Sequence, residues 1–188
     1  MRFETIVTVA PTIEPVTLAE AKAQLRLGSL FTADDAYITA LISVARDRAE
    51  QYCNRFFSSQ TVKIVYLASM PDGAGVNGSI ELPYSGLTVV SVGYTDSDGA
   101  DQTIDSADYT YSPDTKRLSP VGSWPFAIDF TVTATTSAPV EYSGPKQAIL
   151  MMLTDMYELR VESVVGASVA ENKAVNTILT QYRENMGV

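Results

Sequence analysis

Hydrophobic and polar positions change their period twice along this chain. From Thr17 the apolar residues Leu18, Ala21 and Leu25 fall at helical spacing, and "TLAE" has the form of a capping box, with Thr17 facing the amide of Glu20 and Glu20 reaching back. The pattern predicts a helix over 17–27, stopped by Gly28. A second helix over 32–54 starts at "TADD", with Thr32 as cap and two carboxylates in the first turn. Its apolar stripe is Ile38, Leu41, Ile42, Ala45, Ala49 and Tyr52 or Cys53; Arg46, Asp47, Arg48, Glu50 and Gln51 occupy the other faces, and Asn54 is the expected stop. Near residue 60 the period falls to two. "TVKIVYLA" (61–68), "SIEL" (79–82), "TVVSVGYT" (88–95), "DYTY" (108–111) and "DFTVTATT" (129–136) alternate as strands do, and "PDGAG", "PYSG", "DSDG" and "SPDT" punctuate them. Helical spacing returns near 145. "KQAILMMLTDMYELR" predicts an apolar helix over 145–160, and Ala174, Val175, Ile178, Leu179 and Tyr182 form the stripe of a last helix over 172–184.

The expected class is therefore α+β: a small helical bundle with an inserted antiparallel β sub-domain. The organisation read from the pattern is an N-terminal arm and helices at 1–59, a β-rich insert at 60–136, and C-terminal helices at 137–188 that complete the core. Residues 1–13, with β-branched "TIVTVAPT", read as an extended arm.

Composition narrows the chemistry. The 188 residues carry 22 acids against 13 Lys and Arg, a net charge of -9. Scattered basic residues in an acidic chain do not make an extended nucleic-acid footprint. Asp72, Glu81, Asp96, Asp98, Asp101, Asp105, Asp108 and Asp114 lie between Lys63 and Lys116 without a Lys or Arg among them. No apolar run approaches a membrane span, the longest candidate being "AILMML" (148–153), and the N-terminal residues do not read as a signal peptide. There is no histidine, which removes the usual general base and the commonest metal ligand. The single cysteine, Cys53, falls on a helical apolar stripe and reads as a buried small hydrophobe.

No catalytic, cofactor or metal residue is expected. "DSDGADQTI" resembles a calcium loop only superficially: Gly99 stands fourth rather than sixth, and Ala107 occupies the place of the bidentate acid. It reads as a hairpin loop. A carboxylate-dependent hydrolase using Asp96, Asp98 and Asp101, and a monomeric ligand-binding module built on the β insert, are the alternative readings.

Three segments in order carry a resemblance: "EPVTLAEAKAQLRL" (14–27), "DDAYITALISVARDRAEQY" (34–52) and "KQAILMMLTDMYELRVESVVGASVAE" (146–171). Together with the hairpin "SVGYTDSDG" (91–99) and "SWPF" (123–126), they resemble the head–tail connector (adaptor) proteins of tailed bacteriophages and prophages. The similarity is to the longer branch with a β insertion, over about 14–57 and 85–180. It implies a non-enzymatic virion protein without cofactor. Such a protein forms a homo-oligomeric ring under the portal, contacts a tail-completion or tail protein and passes DNA as a non-specific polymer through its lumen. It also implies residence at the head–tail junction after assembly in the host cytoplasm, with no membrane. The segment "TSAPVEYSGPKQAI" departs from the family in lacking a glycine-tyrosine run before the third helix.

A ring subunit needs two different faces. The expected interface residues are Arg46, Arg48 and Glu50 as an outward charged rim, and Val175, Ile178, Leu179 and Tyr182 as a docking stripe re-aimed by the "VVGAS" loop (164–168). Completion of the subunit's own core by the last helix is the equal alternative.

Overall fold

The computed structural model describes residues 3–67, 78–137, 143–159 and 173–184. The chain divides into two compact units, one of residues 1–12 and 59–137, the other of 13–58 and 138–188. Among the described residues there are four α-helices and two antiparallel sheets, an α+β fold.

In the first unit the strands are β1 (Phe3–Val9), β2 (Thr61–Leu67), β3 (Ile80–Glu81), β4 (Leu87–Thr95), β5 (Asp101–Ile104), β6 (Tyr109–Ser112), β7 (Arg117–Pro120) and β8 (Asp129–Thr136). They form a five-stranded sheet, β1-β2-β8-β4-β5, and a three-stranded sheet, β3-β7-β6. The alternation in "DFTVTATT" buries Phe130, Val132, Ala134 and Thr136 on one face, opposite Tyr66, Ile64 and Val62 of β2. Ile80, Leu82, Leu118 and Trp124 are buried in the same unit, and the Tyr66 hydroxyl donates to the Glu81 carbonyl at 3.1 Å. The N-terminal arm belongs here. It pairs antiparallel with β2, Phe3 opposite Tyr66 and Val7 opposite Val62, so it joins the sheet rather than the helices expected at 1–59.

The second unit holds α1 (Leu18–Gln24), α2 (Asp35–Cys53), α3 (Ser143–Leu159) and α4 (Lys173–Thr180) around one apolar core. Ile38, Ala45, Ala49 and Cys53 of α2 meet Ala148, Ile149 and Leu153 of α3 and Val175 and Leu179 of α4 in that core. Two helix ends differ from expectation. α1 stops at its C-cap, Leu25, and Arg26 turns left-handed at φ 58, ahead of Gly28. Asp34, not Thr32, is the N-cap of α2, and it makes no side-chain cap bond. Asn54 does end α2, at φ 51 and ψ 42, the left-handed geometry that a short polar side chain tolerates. Among the described residues no helix is long and apolar enough to cross a membrane.

The capping box of α1 is present on both sides, and Glu20 also holds Lys146 of α3 at 2.6 Å. The hydrogen bond from Lys146, then those from Thr17, hold the Glu20 carboxyl down at about 2 from an ordinary 4.5. A carboxyl depressed by folding adds stability that is present above its unfolded value and lost as pH falls through the folded one. The tie between α1 and α3 should weaken between about pH 4.5 and 2, and Glu20→Gln should flatten that part of an acid-unfolding curve. An acid limb identical to that of the unsubstituted chain would contradict the assignment. Thr17→Ala removes the other half of the box, for a loss of about 1 kcal/mol at neutral pH.

Candidate interaction surfaces

The α2 face expected to be a charged rim splits in two. Arg48 is exposed, but Arg46 and Glu50 are buried at 5% and 7% exposure. Arg46 sits between carboxylates: Nε lies 2.8 Å from Glu14, and Nη1 lies 2.8 Å from both Glu50 and Asp47. The second oxygen of Glu50 accepts the Phe57 backbone N–H at 2.6 Å, and Ser43 donates to Glu14 at 3.0 Å. Burial works against the guanidinium charge. The carboxylates of Glu50, Glu14 and Asp47 more than offset it and raise its pKa above the ordinary arginine value. The cluster ties the segment before α1, the body of α2 and the turn after α2 together. Arg46 and Glu50 are therefore buried struts within the helical unit, not the outward-facing positions that the helix pattern suggests.

The docking stripe is also built into the unit. Val175 and Leu179 are buried at 5% and 1% exposure, while Ile178 and Tyr182 are half-buried against the same core. Beyond α4 the chain is clasped to the end of α2. Tyr52 and Thr180 share a hydroxyl hydrogen bond of 2.8 Å, and the Cys53 thiol donates to the Leu179 carbonyl at 3.4 Å. The Glu184 N–H donates to the Cys53 carbonyl at 2.8 Å, and Asn54 Nδ2 donates to the Glu184 carbonyl at 3.2 Å. Arg55 pairs with the Glu184 carboxylate at 3.3 Å, and the Arg183 guanidinium stands 5.7 Å from the centre of the Tyr52 ring. Tyr182 rests on Gly144, where a Cβ would come within 2.6 Å of its ring, so the glycine makes room for the aromatic. Burial pushes the Cys53 thiol up to about 11, against the pull of Arg55 and Arg183, which suits a core position. The "VVGAS" loop lies outside the described residues.

What the helical unit does expose is apolar surface the sequence pattern did not single out. Leu30, Phe31, Tyr37, Val44 and Leu159 are all exposed large hydrophobics. Leu30 and Phe31 stand in the α1–α2 connection, where no periodicity exists to signal them.

In the β unit two of the carboxylates at the β4–β5 turn, Asp96 and Asp101, are engaged in holding the turn. Asp96 accepts from the amides of Asp98 and Ala100 at 3.0 and 2.9 Å and from Gln102 Nε2 at 3.0 Å; Asp101 accepts from Thr95 Oγ1 at 3.1 Å. The Gln102 hydrogen bond, with those from the turn amides, lowers the Asp96 pKa, the opposite of what a general acid requires. Among the described residues no group of three or more His, Cys, Asp or Glu is placed to hold a metal ion.

Residues 15–111, just over half the chain, match the family model described as phage gp6-like head-tail connector protein. The fold is similar along the whole chain to solved structures of gene transfer agent (GTA) particles. One, the neck of an empty GTA particle computed with C6 symmetry, superposes with TM-score 0.73 at 20% identity, covering 100% of this chain and 98% of the other. A second, the neck of a native GTA particle computed with C12 symmetry, gives 0.70 at 16% identity, with 100% and 98% covered. The virion of a native GTA particle gives 0.69 at 18% identity, with 96% and 97% covered. No curated protein matches.

Proposed function

Because this chain belongs to the phage gp6-like head-tail connector protein family and is a structural connector protein of the virion, we propose that it works as one subunit of a ring seated beneath the portal, joining the capsid vertex to the tail. The observation that carries this reading is the reach of the family match, which runs through α1 and α2 and on into the β unit as far as Tyr111. The similarity of fold to GTA neck structures over the full length supports it, and the C6 and C12 symmetry of those necks favours a closed ring. Head-to-tail closure uses two unlike surfaces on each subunit. Exposed Arg48 remains a rim candidate on one of them.

In this reading the protein performs no catalytic step. It assembles in the host cytoplasm, binds the portal on one side and a tail-completion or tail protein on the other, and lets DNA pass. A net charge of -9 suits a lumen that must not hold phosphates, since a basic wall would bind the polymer and retard it.

The direct test is electron microscopy of the purified protein, alone and mixed with the portal protein of the same particle. Rings, free or seated on the portal, are the expected result. A protein that stays monomeric at high concentration and fails to sediment with the portal would refute the proposal.

A further inference from the structure

The connection from β7 to β8 turns an aromatic residue outward while anchoring both of its flanks. Trp124 is buried at 2% exposure, its Nε1 donates to the Gly78 carbonyl at 2.7 Å, and its ring packs edge-on against Phe130 at 5.0 Å. Ala127 is buried too. Between them Phe126 is 77% exposed, with Val121 and Ile128 at 66% and 46%. The ends of the connection are fixed by backbone bonds, Val121 N–H to the Asp108 carbonyl and Ile128 N–H to the Thr95 carbonyl, both 2.8 Å. A loop that is merely solvated does not need an indole buried beside it to hold a phenylalanine in water. Exposed aromatics on a rigid support are the usual anchors of protein interfaces.

The surroundings of the tip are acidic. The same two bonds put Val121 beside Asp108 and Ile128 beside Thr95, and Thr95 pairs across strands with both Asp101 and Asp129. Asp98 and Asp105 are exposed in the adjoining turns. Within this unit the bases are few: Arg2, Lys63, Lys116 and Arg117 against ten acids, the two of residues 1–12 and 117–137 (Glu4, Asp129) plus the eight between Lys63 and Lys116. Carboxylates around an apolar tip are repelled by nucleic acid and by anionic lipid, and attract Lys and Arg.

We propose that Phe126, with Val121 and Ile128, is a docking finger that inserts into an apolar socket rimmed by Lys and Arg on a different protein of the particle. The neck setting rests on the connector reading; the finger itself lies on the β unit.

The test is to place a photo-crosslinking benzoylphenylalanine at position 126 of the full chain, with Ser106 substituted in the same way as a control, and to irradiate assembled particles. The expected product is a conjugate from position 126 to another particle protein, at a site flanked by basic residues, while position 106 gives at least tenfold less. Phe126→Ser should abolish incorporation of that partner with unchanged melting, and Asp101→Lys with Asp108→Lys should weaken it. Conjugates only between copies of this chain, or none above the control, overturn the finger. Absence of the unsubstituted chain from particles would instead overturn the connector reading.

Discussion

Replacing Arg46 with alanine should cost the helical unit about 3–5 kcal/mol, the loss expected when one partner of a buried ion pair is removed and the other stays behind uncompensated. For a unit of this size that is a fall in melting temperature of more than about ten degrees. Glu50 is the reason. Its side chain is 8% exposed, one oxygen faces Arg46 and the other accepts the Phe57 amide, so without the guanidinium a carboxylate remains charged inside the unit. Glu14, at 24% exposure, can recover water and adds less. Arg46→Met combined with Glu50→Gln should restore about half of the loss, because glutamine keeps an acceptor for Phe57 and removes the stranded charge. Arg48→Ala, at an exposed position of the same helix, should stay within about 0.5 kcal/mol. Helical circular dichroism against temperature reads all of these. A normal melting curve for Arg46→Ala, with ring formation lost, would return Arg46 to the rim.

The misplacement of Arg46 and Glu50 shows where the sequence stops being legible. α2 has a readable apolar stripe, and Arg46 and Glu50 flank it one turn apart. A flank is inside or outside according to what else covers it. Here the cover is Glu14 from before α1 and Phe57 from after α2, both irregular segments without periodicity. The same limit hid β1. β-branching showed an extended segment, but its partner, β2, lies more than fifty residues on, so the arm read as part of the helical portion. β5 and β7 were lost to turn chemistry. "DSDGADQTI" reads as loop although Asp101–Ile104 is an edge strand, and Arg117–Pro120 ends on a proline that has no amide to give. By contrast, the changes of period near 60 and 145 were visible, because each reports one segment's own burial. The Trp124 anchor was visible only as a motif, and its partner carbonyl at Gly78 sits across the fold.

Leu179→Ala should destabilise the helical unit by about 2–5 kcal/mol, as truncation of a buried leucine does when the site cannot collapse. Leu179 is 1% exposed, and its carbonyl takes the Cys53 thiol, so α4 is held at the end of α2 by side chain and backbone together. Tyr182→Ala should add a smaller loss, since that ring is only half-buried on the Gly144 surface, and Gly144→Ala should mimic it by driving the ring off. Ile178→Ser serves as the comparison, being half-buried on a stripe whose buried members are Val175 and Leu179. A helix that must detach to dock on a portal has to break this clasp, with its Glu184 contacts to Cys53, Asn54 and Arg55, at a free-energy cost the portal contact would need to exceed. The core role predicts that melting and portal binding fall together across Leu179→Ala, Tyr182→Ala and Gly144→Ala, in that order of size. Unchanged melting in Leu179→Ala, with portal binding lost, would show that α4 serves the portal and not the core.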